Sequence, residues 1–225
     1  MMRSFDEILA IAAARKGGAE AVLAGAMPVK PAAELAAIPS ADWLAQMARG
    51  IFQAGISWQV IEAKWPGITE AFEGFAPGPL SVKDDDWLED MLADRRVIRS
   101  GPKIVAIRDN AAFIRRVDEE GGGFARRIAD WPAEDFAGLI AWLTENGSRL
   151  GGNTGPYMLR AMGKESYLLS RDVLARLVEE GVMTGTPGSK KAQVAIQAAF
   201  NQWRAESGQS LNVISRVLAQ SIGQG

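Results

Sequence analysis

The sequence predicts an all-α protein, on three observations. Apolar residues recur at spacings of three and four through most of the chain, which is one face of a helix. No segment alternates apolar and polar residues as a half-buried strand does. Gly, Pro, Ser and Asn fall where those periodic stretches begin and end.

Ser4-Phe5-Asp6-Glu7 has the form of a capping box, opening a helix with Phe5, Ile8, Leu9 and Ala12 on one face. A linker rich in Gly, Ala and Pro runs to Pro39, and Ser40 is placed to cap a helix bearing Leu44, Met47, Ala48 and Ile51. The pattern predicts that this helix continues through Trp58 and Ile61 until Pro66 stops it. Short helices are expected around Trp87, Leu88, Met91 and Leu92, and around Ile104, Ile107, Ala111 and Ile114. Gly121-Gly122-Gly123 marks a loop. Trp131-Pro132 leads into the stripe Phe136, Leu139, Ile140 and Leu143, which Asn146-Gly147 ends. Beyond a Gly-rich turn come Leu169, Val173, Leu174 and Leu177, then Ile196, Phe200 and Trp203. Ser210 caps a last stripe of Leu211, Ile214, Leu218 and Ile222. The count is about eight to ten helices.

At 225 residues, the chain is long enough for one domain with a sizeable core or two small lobes. No apolar run approaches the roughly 18 to 20 residues that span a bilayer, and Asp6 and Glu7 stand where a signal peptide is basic. A cytoplasmic protein without membrane contact is expected. The chain has no Cys and no His. Disulfides, the usual Cys/His zinc sites and His-dependent nucleophilic machinery are therefore excluded, and neither metal nor cofactor is expected. Acid-base chemistry near neutral pH falls to Asp, Glu, Lys or Tyr, or the reaction needs little of it. The net charge of −2 leaves nucleic-acid binding to a local basic face.

Two segments stand out. Between Leu150 and Gly163, a helix ends, the turn Gly151-Gly152-Asn153-Thr154-Gly155 follows, and Pro156 opens a new helix. Such a turn either aims backbone N–H groups at a phosphate or simply connects two helices. The second segment is Gln53-Ala54-Gly55-Ile56-Ser57-Trp58, with Ile61, Lys64 and Trp65 beyond. By itself Trp58 is either a core residue or a stacking platform. Basic residues gather at Arg95, Arg96, Arg99, Lys103 and Arg108, flank the Gly loop at Arg115, Arg116, Arg126 and Arg127, and recur at Lys190 and Lys191 before a later helix. These form either solvated faces or, in part, a phosphate track.

The Gln53 to Trp58 string resembles a signature of the 3-methyladenine DNA glycosylase I family, within the helix-hairpin-helix DNA glycosylases. Ordered companions follow at Ala71 to Phe75, Leu92 to Asp94, Val97 to Arg99, Lys103-Ile104 and Asn110-Ala111. Gly151, Thr154, Ala161 and Gly163 match the family's hairpin. The resemblance implies an all-α helix-hairpin-helix glycosylase-like fold, a single domain over 1–225 with two lobes around a cleft. One lobe covers about 40–130; the hairpin lobe, about 131–222, packs with the N-terminal helix.

It also implies hydrolysis of the N-glycosidic bond of alkylated purines such as 3-methyladenine in double-stranded DNA, by a monomer, in base excision repair. A cationic alkylated base departs readily and is attracted to an aromatic face. The base pocket falls on Trp58, Gln53 and Ser57; the DNA backbone falls on Gly151, Gly152, Asn153, Thr154, Gly155, Arg99, Lys103, Lys190 and Lys191.

Departures open alternatives. The family's pocket glutamate aligns with Gly50, which leaves Glu62 and Asp172 as candidate catalytic acids. The superfamily's catalytic aspartate aligns with Ser170, and the family's N-terminal aromatic and Cys motif has no counterpart near the start. Two of the family's zinc ligands align with Asp172 and Arg176, at the i, i+4 spacing of a helical ion pair that would take over part of the metal's tethering. A non-catalytic binder or sensor of damaged or distorted DNA is the alternative to the enzyme, and a helical interaction protein with a closed pocket is a third reading.

Overall fold

A computed structural model of the chain describes residues 2–223. Their regular structure is helical, in the order α1 (Phe5–Lys16), α2 (Ala19–Ala24), α3 (Ala32–Ala36), α4 (Ser40–Gln53), α5 (Trp58–Ala71), α6 (Pro77–Leu80) and α7 (Asp85–Ala93). There follow α8 (Gly101–Glu119), α9 (Phe124–Asp130), α10 (Phe136–Asn146), α11 (Thr154–Met162), α12 (Arg171–Glu179), α13 (Lys190–Ser207) and α14 (Leu211–Gln220), with single 3-10 turns at Glu73–Phe75 and Ala133–Asp135. Fourteen α-helices among the described residues exceed the eight to ten expected. The surplus includes pieces such as α2, α3 and α6, of four to six residues, too short to show a repeating stripe. No helix among the described residues is long and apolar enough to cross a membrane.

The predicted caps at Ser4 and Ser210 form: Ser4 and Glu7 make the reciprocal capping box, and Ser210 accepts from the Val213 N–H. Ser40 does not cap. It is the first residue of α4, and its hydroxyl donates to Asp118 at 2.8 Å. The helix expected from Ser40 to Pro66 is two helices. Gly55, at φ +84°, breaks it, whereas Pro66 lies inside α5. Proline deprives that helix of one hydrogen bond, but the buried Ile61 and Ile68 on either side hold it against the core. Trp65, half-buried, stacks on Phe75 with centroids 5.4 Å apart.

The chain forms two compact units. One comprises Pro31–Asp130 and Ile140–Met162, so the Gly151 to Gly155 turn falls with residues 31–130. Here α4 packs on α8 and α11, burying Trp43, Leu44, Met47, Ala48, Ile51 and Phe52. Ile104, Ile107, Ala111 and Ile114 on α8 are equally buried, and each large apolar side chain so removed from water contributes about 1.5–3 kcal/mol. Phe52 meets Phe72 edge-on at 6.1 Å, and Phe72 stacks on Phe75 at 5.2 Å.

The other unit comprises Met1–Lys30, Trp131–Leu139 and Gly163–Gly225, and packs α14 against α1, α2, α12 and α13. Trp203 is fully buried, its indole N–H donating to the Arg3 carbonyl at 3.0 Å. The expected Asp172–Arg176 pair does not form. The buried Arg176 turns toward the other end of its helix, to Glu179 at 2.9 Å and Glu180 at 3.1 Å. It also donates to the Ser221 hydroxyl and carbonyl, both at 2.8 Å. Glu180 in turn accepts from the Arg3 backbone N–H at 2.9 Å and its guanidinium at 2.7 Å. Burial pushes the Glu180 carboxyl up, but the bonds from Arg3 and Arg176 outweigh it and hold the group below its ordinary value.

Candidate functional site

The break between α4 and α5 sets up the first half of the site. The Lys103 ammonium, on the first turn of α8, donates to the carbonyls of Phe52 at 3.0 Å and Ala54 at 2.6 Å, closing the C-terminus of α4 with a cation. Gly55 then turns the chain through the left-handed region, and Ser57 occupies the N-cap position of α5. Its carbonyl accepts from the Val60 and Ile61 N–H groups, while its side chain is exposed and caps nothing. Trp58 is therefore the first residue of α5, and 63% of it is exposed. It is not a core tryptophan. Gln53 is half-buried at the last position of α4.

The second half is the turn between α10 and α11. The buried Asn110 of α8 grips its entry with both ends of its amide. Its NH2 donates to the Ser148 carbonyl at 2.9 Å, and its oxygen accepts from the Ser148 N–H at 2.8 Å. Arg149 follows in the left-handed region at φ +58°, rare for a residue with a side chain, and Gly152 adopts φ +60° at the exposed tip. The N–H groups of Thr154 and Gly155 bond back to the carbonyls of Gly151 at 3.3 Å and Leu150 at 3.0 Å, and so point inward. Gly155 is required: a Cβ there would stand 2.6 Å from the Leu150 oxygen. Gly152 and Asn153 form the exposed part.

Between these halves lies a recess of about 310 Å³, lined by Ile51, Ala54, Arg149, Gly151 and Thr154. That volume is within the range of small-ligand pockets, about 300–1,000 Å³. Gly50 forms the crossing beneath it. A Cβ at this position would meet the Thr154 methyl at 3.2 Å, so the place the resemblance gives to a glutamate is one where α4 lies close against α11. No carboxylate lines the recess. Glu62, the candidate acid one turn beyond Trp58, forms an ion pair with Arg49, whose guanidinium lies 4.1 Å above the Trp65 ring. The Lys103 ammonium has its pKa lowered, by burial first and then by repulsion from Arg149, so two cations serve one neighbourhood.

Arg99 is exposed just ahead of α8. Several other basic residues are committed elsewhere: Arg96 to Asp94 and Glu70, Arg108 to Asp85, Arg115 to Glu119, Arg126 to Asp130 and Arg127 to Glu120. Lys190 and Lys191 are not in a turn before α13 but are its first two residues, exposed, and belong to the other compact unit. Asp172 also belongs to that unit, in the first turn of α12, where Ser170 is the N-cap and accepts from the Val173 N–H at 3.3 Å. Sequence reasoning missed Arg149 and the role of Asn110. Nothing in the string around Arg149 announces a positive φ.

The family's zinc does not fit this chain. It contains no Cys or His, and the described residues hold no group of three Asp or Glu side chains able to take a cation in their place.

The described residues form an all-helical scaffold in which Gly55 breaks the chain between α4 and α5. Residues 43–137 match the family model described as methyladenine glycosylase, and the chain's resemblance to the 3-methyladenine DNA glycosylase I family is thereby shown over a segment containing Gly50 and Trp58. The turn at 151–155 lies outside that match. Among solved structures, a glutamate-to-glutamine variant of 3-methyladenine DNA glycosylase I from Staphylococcus aureus is 20% identical, with a TM-score of 0.50 over 64% of this chain and 83% of that one. Another crystal structure of 3-methyladenine DNA glycosylase I, also 20% identical, gives a TM-score of 0.48 over 64% and 86% of the two chains. A tyrosine-to-phenylalanine variant in complex with 3-methyladenine gives 0.49, at 20% identity over 59% and 82%. At this identity the likeness at a TM-score of 0.50 speaks for the fold alone.

Proposed function

We propose that this protein is a DNA glycosylase that removes alkylated purines such as 3-methyladenine from duplex DNA by hydrolysing the N-glycosidic bond. The observation that carries the reading is the placement of Trp58. A large indole, mostly exposed on the first residue of a helix, follows by four positions a residue that lines an open recess. Taking a base out of the stack costs a few kcal/mol, and stacking on an aromatic ring returns about 1–3 kcal/mol. An alkylated cationic base then leaves as a neutral molecule, taking the bonding pair, while water adds its hydroxyl to the sugar carbon and releases its proton to solvent. No strong acid is needed for that departure.

In this reading, α10, the turn and α11 form the helix-hairpin-helix unit, with Gly152 and Asn153 at the tip against the backbone, helped by Arg99, Lys190 and Lys191. The inward bonds of Thr154 and Gly155 give those residues the task of holding the turn. Lys103 positions the Trp58 loop by closing α4. Trp58, Gln53 and Ser57 are the proposed base contacts.

The alternative, a binder of damaged or distorted DNA that does not cut, is favoured by one observation: no carboxylate lines the recess, and Glu62 is held by Arg49. The test is release of 3-methyladenine from methylated duplex DNA, measured for the native protein and Trp58→Ala. Release lost on substitution, by about tenfold or more, supports the enzyme. Binding of alkylated duplex with no release identifies the binder, and no affinity for DNA at moderate salt removes both.

A further inference from the structure

Helix α8 is bonded to both walls of the recess, although its side chains do not line it. One wall includes Ala54, the other Arg149 and Gly151, all in the unit of Pro31–Asp130 and Ile140–Met162. The Lys103 ammonium donates to the carbonyl of Ala54 itself at 2.6 Å, and to that of Phe52 at 3.0 Å. Two turns along the same helix, the Asn110 amide exchanges two hydrogen bonds with the backbone of Ser148, which directly precedes Arg149. A spacing of seven residues falls about 20° short of two full turns. Both side chains therefore leave α8 on one face, about 10.5 Å apart along its axis. The fully buried Ile107 lies between them, and no Gly or Pro interrupts the stretch, so it is a stiff rod. Gly147 completes the arrangement. A Cβ there would stand 3.1 Å from the Asn110 oxygen, so its absence lets the end of α10 reach α8.

We propose that Lys103 and Asn110 are positioning residues of the recess, and that α8 fixes the separation of its two walls through them. The proposal deepens the reading of the recess as the pocket of a flipped base, and rests on it. Neither side chain lines the recess, so neither is a catalytic residue. Their task is geometric. An extruded nucleotide has its base against one wall and its backbone against the other, and a misplacement of about 1 Å can cost about a hundredfold in rate. Both walls are carried on exposed breaks between helices, which by themselves would move independently. Hydrogen bonds from each to a single rigid helix make them one frame.

The native chain has no Cys, so two introduced ones, Gln59→Cys on α5 and Asn153→Cys at the tip of the turn, take nitroxide labels at those sites alone. Dipolar spectroscopy of the labelled full chain, without DNA, reads the distribution of their separation. One narrow distribution is expected, broadened by Lys103→Met and by Asn110→Ala at temperatures where circular dichroism shows native helix content. Lys103→Arg, which keeps a cation with donors for both carbonyls, should restore it. The Ala54 carbonyl lies where water can replace the ammonium, so Lys103→Met changes position without orphaning that group. In the unlabelled chain, Lys103→Met should slow single-turnover release of 3-methyladenine by about tenfold or more and change duplex affinity by less than about twofold. An unchanged distribution in Lys103→Met, or a loss of affinity as large as the loss of rate, overturns the proposal. Lys103→Met decides it alone if Asn110→Ala does not fold. A native chain that releases no base removes the glycosylase reading, while the label distances still decide whether α8 sets the walls.

Discussion

Gly50 illustrates how a single missing side chain decides a local question. In mid-helix, glycine costs about 1 kcal/mol relative to alanine, so replacing it is normally stabilising. Here the added methyl would press on the Thr154 methyl at 3.2 Å. We expect Gly50→Ala to gain less than that 1 kcal/mol, and the full gain to return in the Thr154→Ser background. Chemical denaturation of the two single variants and the double variant measures the coupling. Trp58 was legible at this scale because its string is specific, although only the structure distinguishes an exposed platform from a core residue. Arg149 was not legible. Its chemistry depends on a backbone angle set by neighbours distant in sequence.

Elements follow similar logic. The Gly151 to Gly155 turn is held from outside by Asn110, whose amide replaces water for both polar groups of Ser148. Asn110→Ala should cost about 2–3 kcal/mol, since two hydrogen bonds go and the Ser148 groups lose their partner. Its signature should be faster amide exchange across 147–153 at denaturant concentrations where α8 remains protected; uniform loss of protection would contradict a local clamp. The stripe from Leu44 to Ile61 was readable as helix, but its break was assigned to Pro66 when Gly55 makes it. Periodicity reports the buried face, and both residues are permitted breakers. Which one acts depends on Lys103 closing α4 and on Phe75 anchoring Trp65 beyond the break.

For the molecule as a whole, electrostatics carries the testable content. In the unit built on α14, Glu180 joins Arg3 near the start of the chain to Arg176, which holds Ser221 near its end. Because its folded pKa is depressed, this carboxylate stabilises the protein above its unfolded value of about 4.3, and the contribution is lost as pH falls through the lower folded value. Glu180→Gln should therefore reduce the midpoint of thermal unfolding at neutral pH and flatten its decline below about pH 4. Glu180→Ala should cost about 3 kcal/mol, because it strips a partner from the buried Arg176 guanidinium. With a net charge of −2, DNA affinity must come from a few local cations. Under the proposed function, Arg99→Ala should lower the slope of log affinity against log salt by about one, measured by fluorescence anisotropy on duplex DNA; an unchanged slope would remove Arg99 from the interface.

The sequence by itself determined the helical class, the caps at Ser4 and Ser210, the resemblance carried by Gln53 to Trp58, and the impossibility of a Cys/His metal site. Those are local properties, written in spacing and residue type. Only the tertiary structure decided that Arg176 pairs with Glu180 and not Asp172, that Gly50 is a helix crossing, and that Arg149 lines the recess. Partner choice and cavity charge arise where segments far apart in sequence are packed together. For Arg176, packing selects among several locally permitted arrangements the one that leaves no buried charge alone.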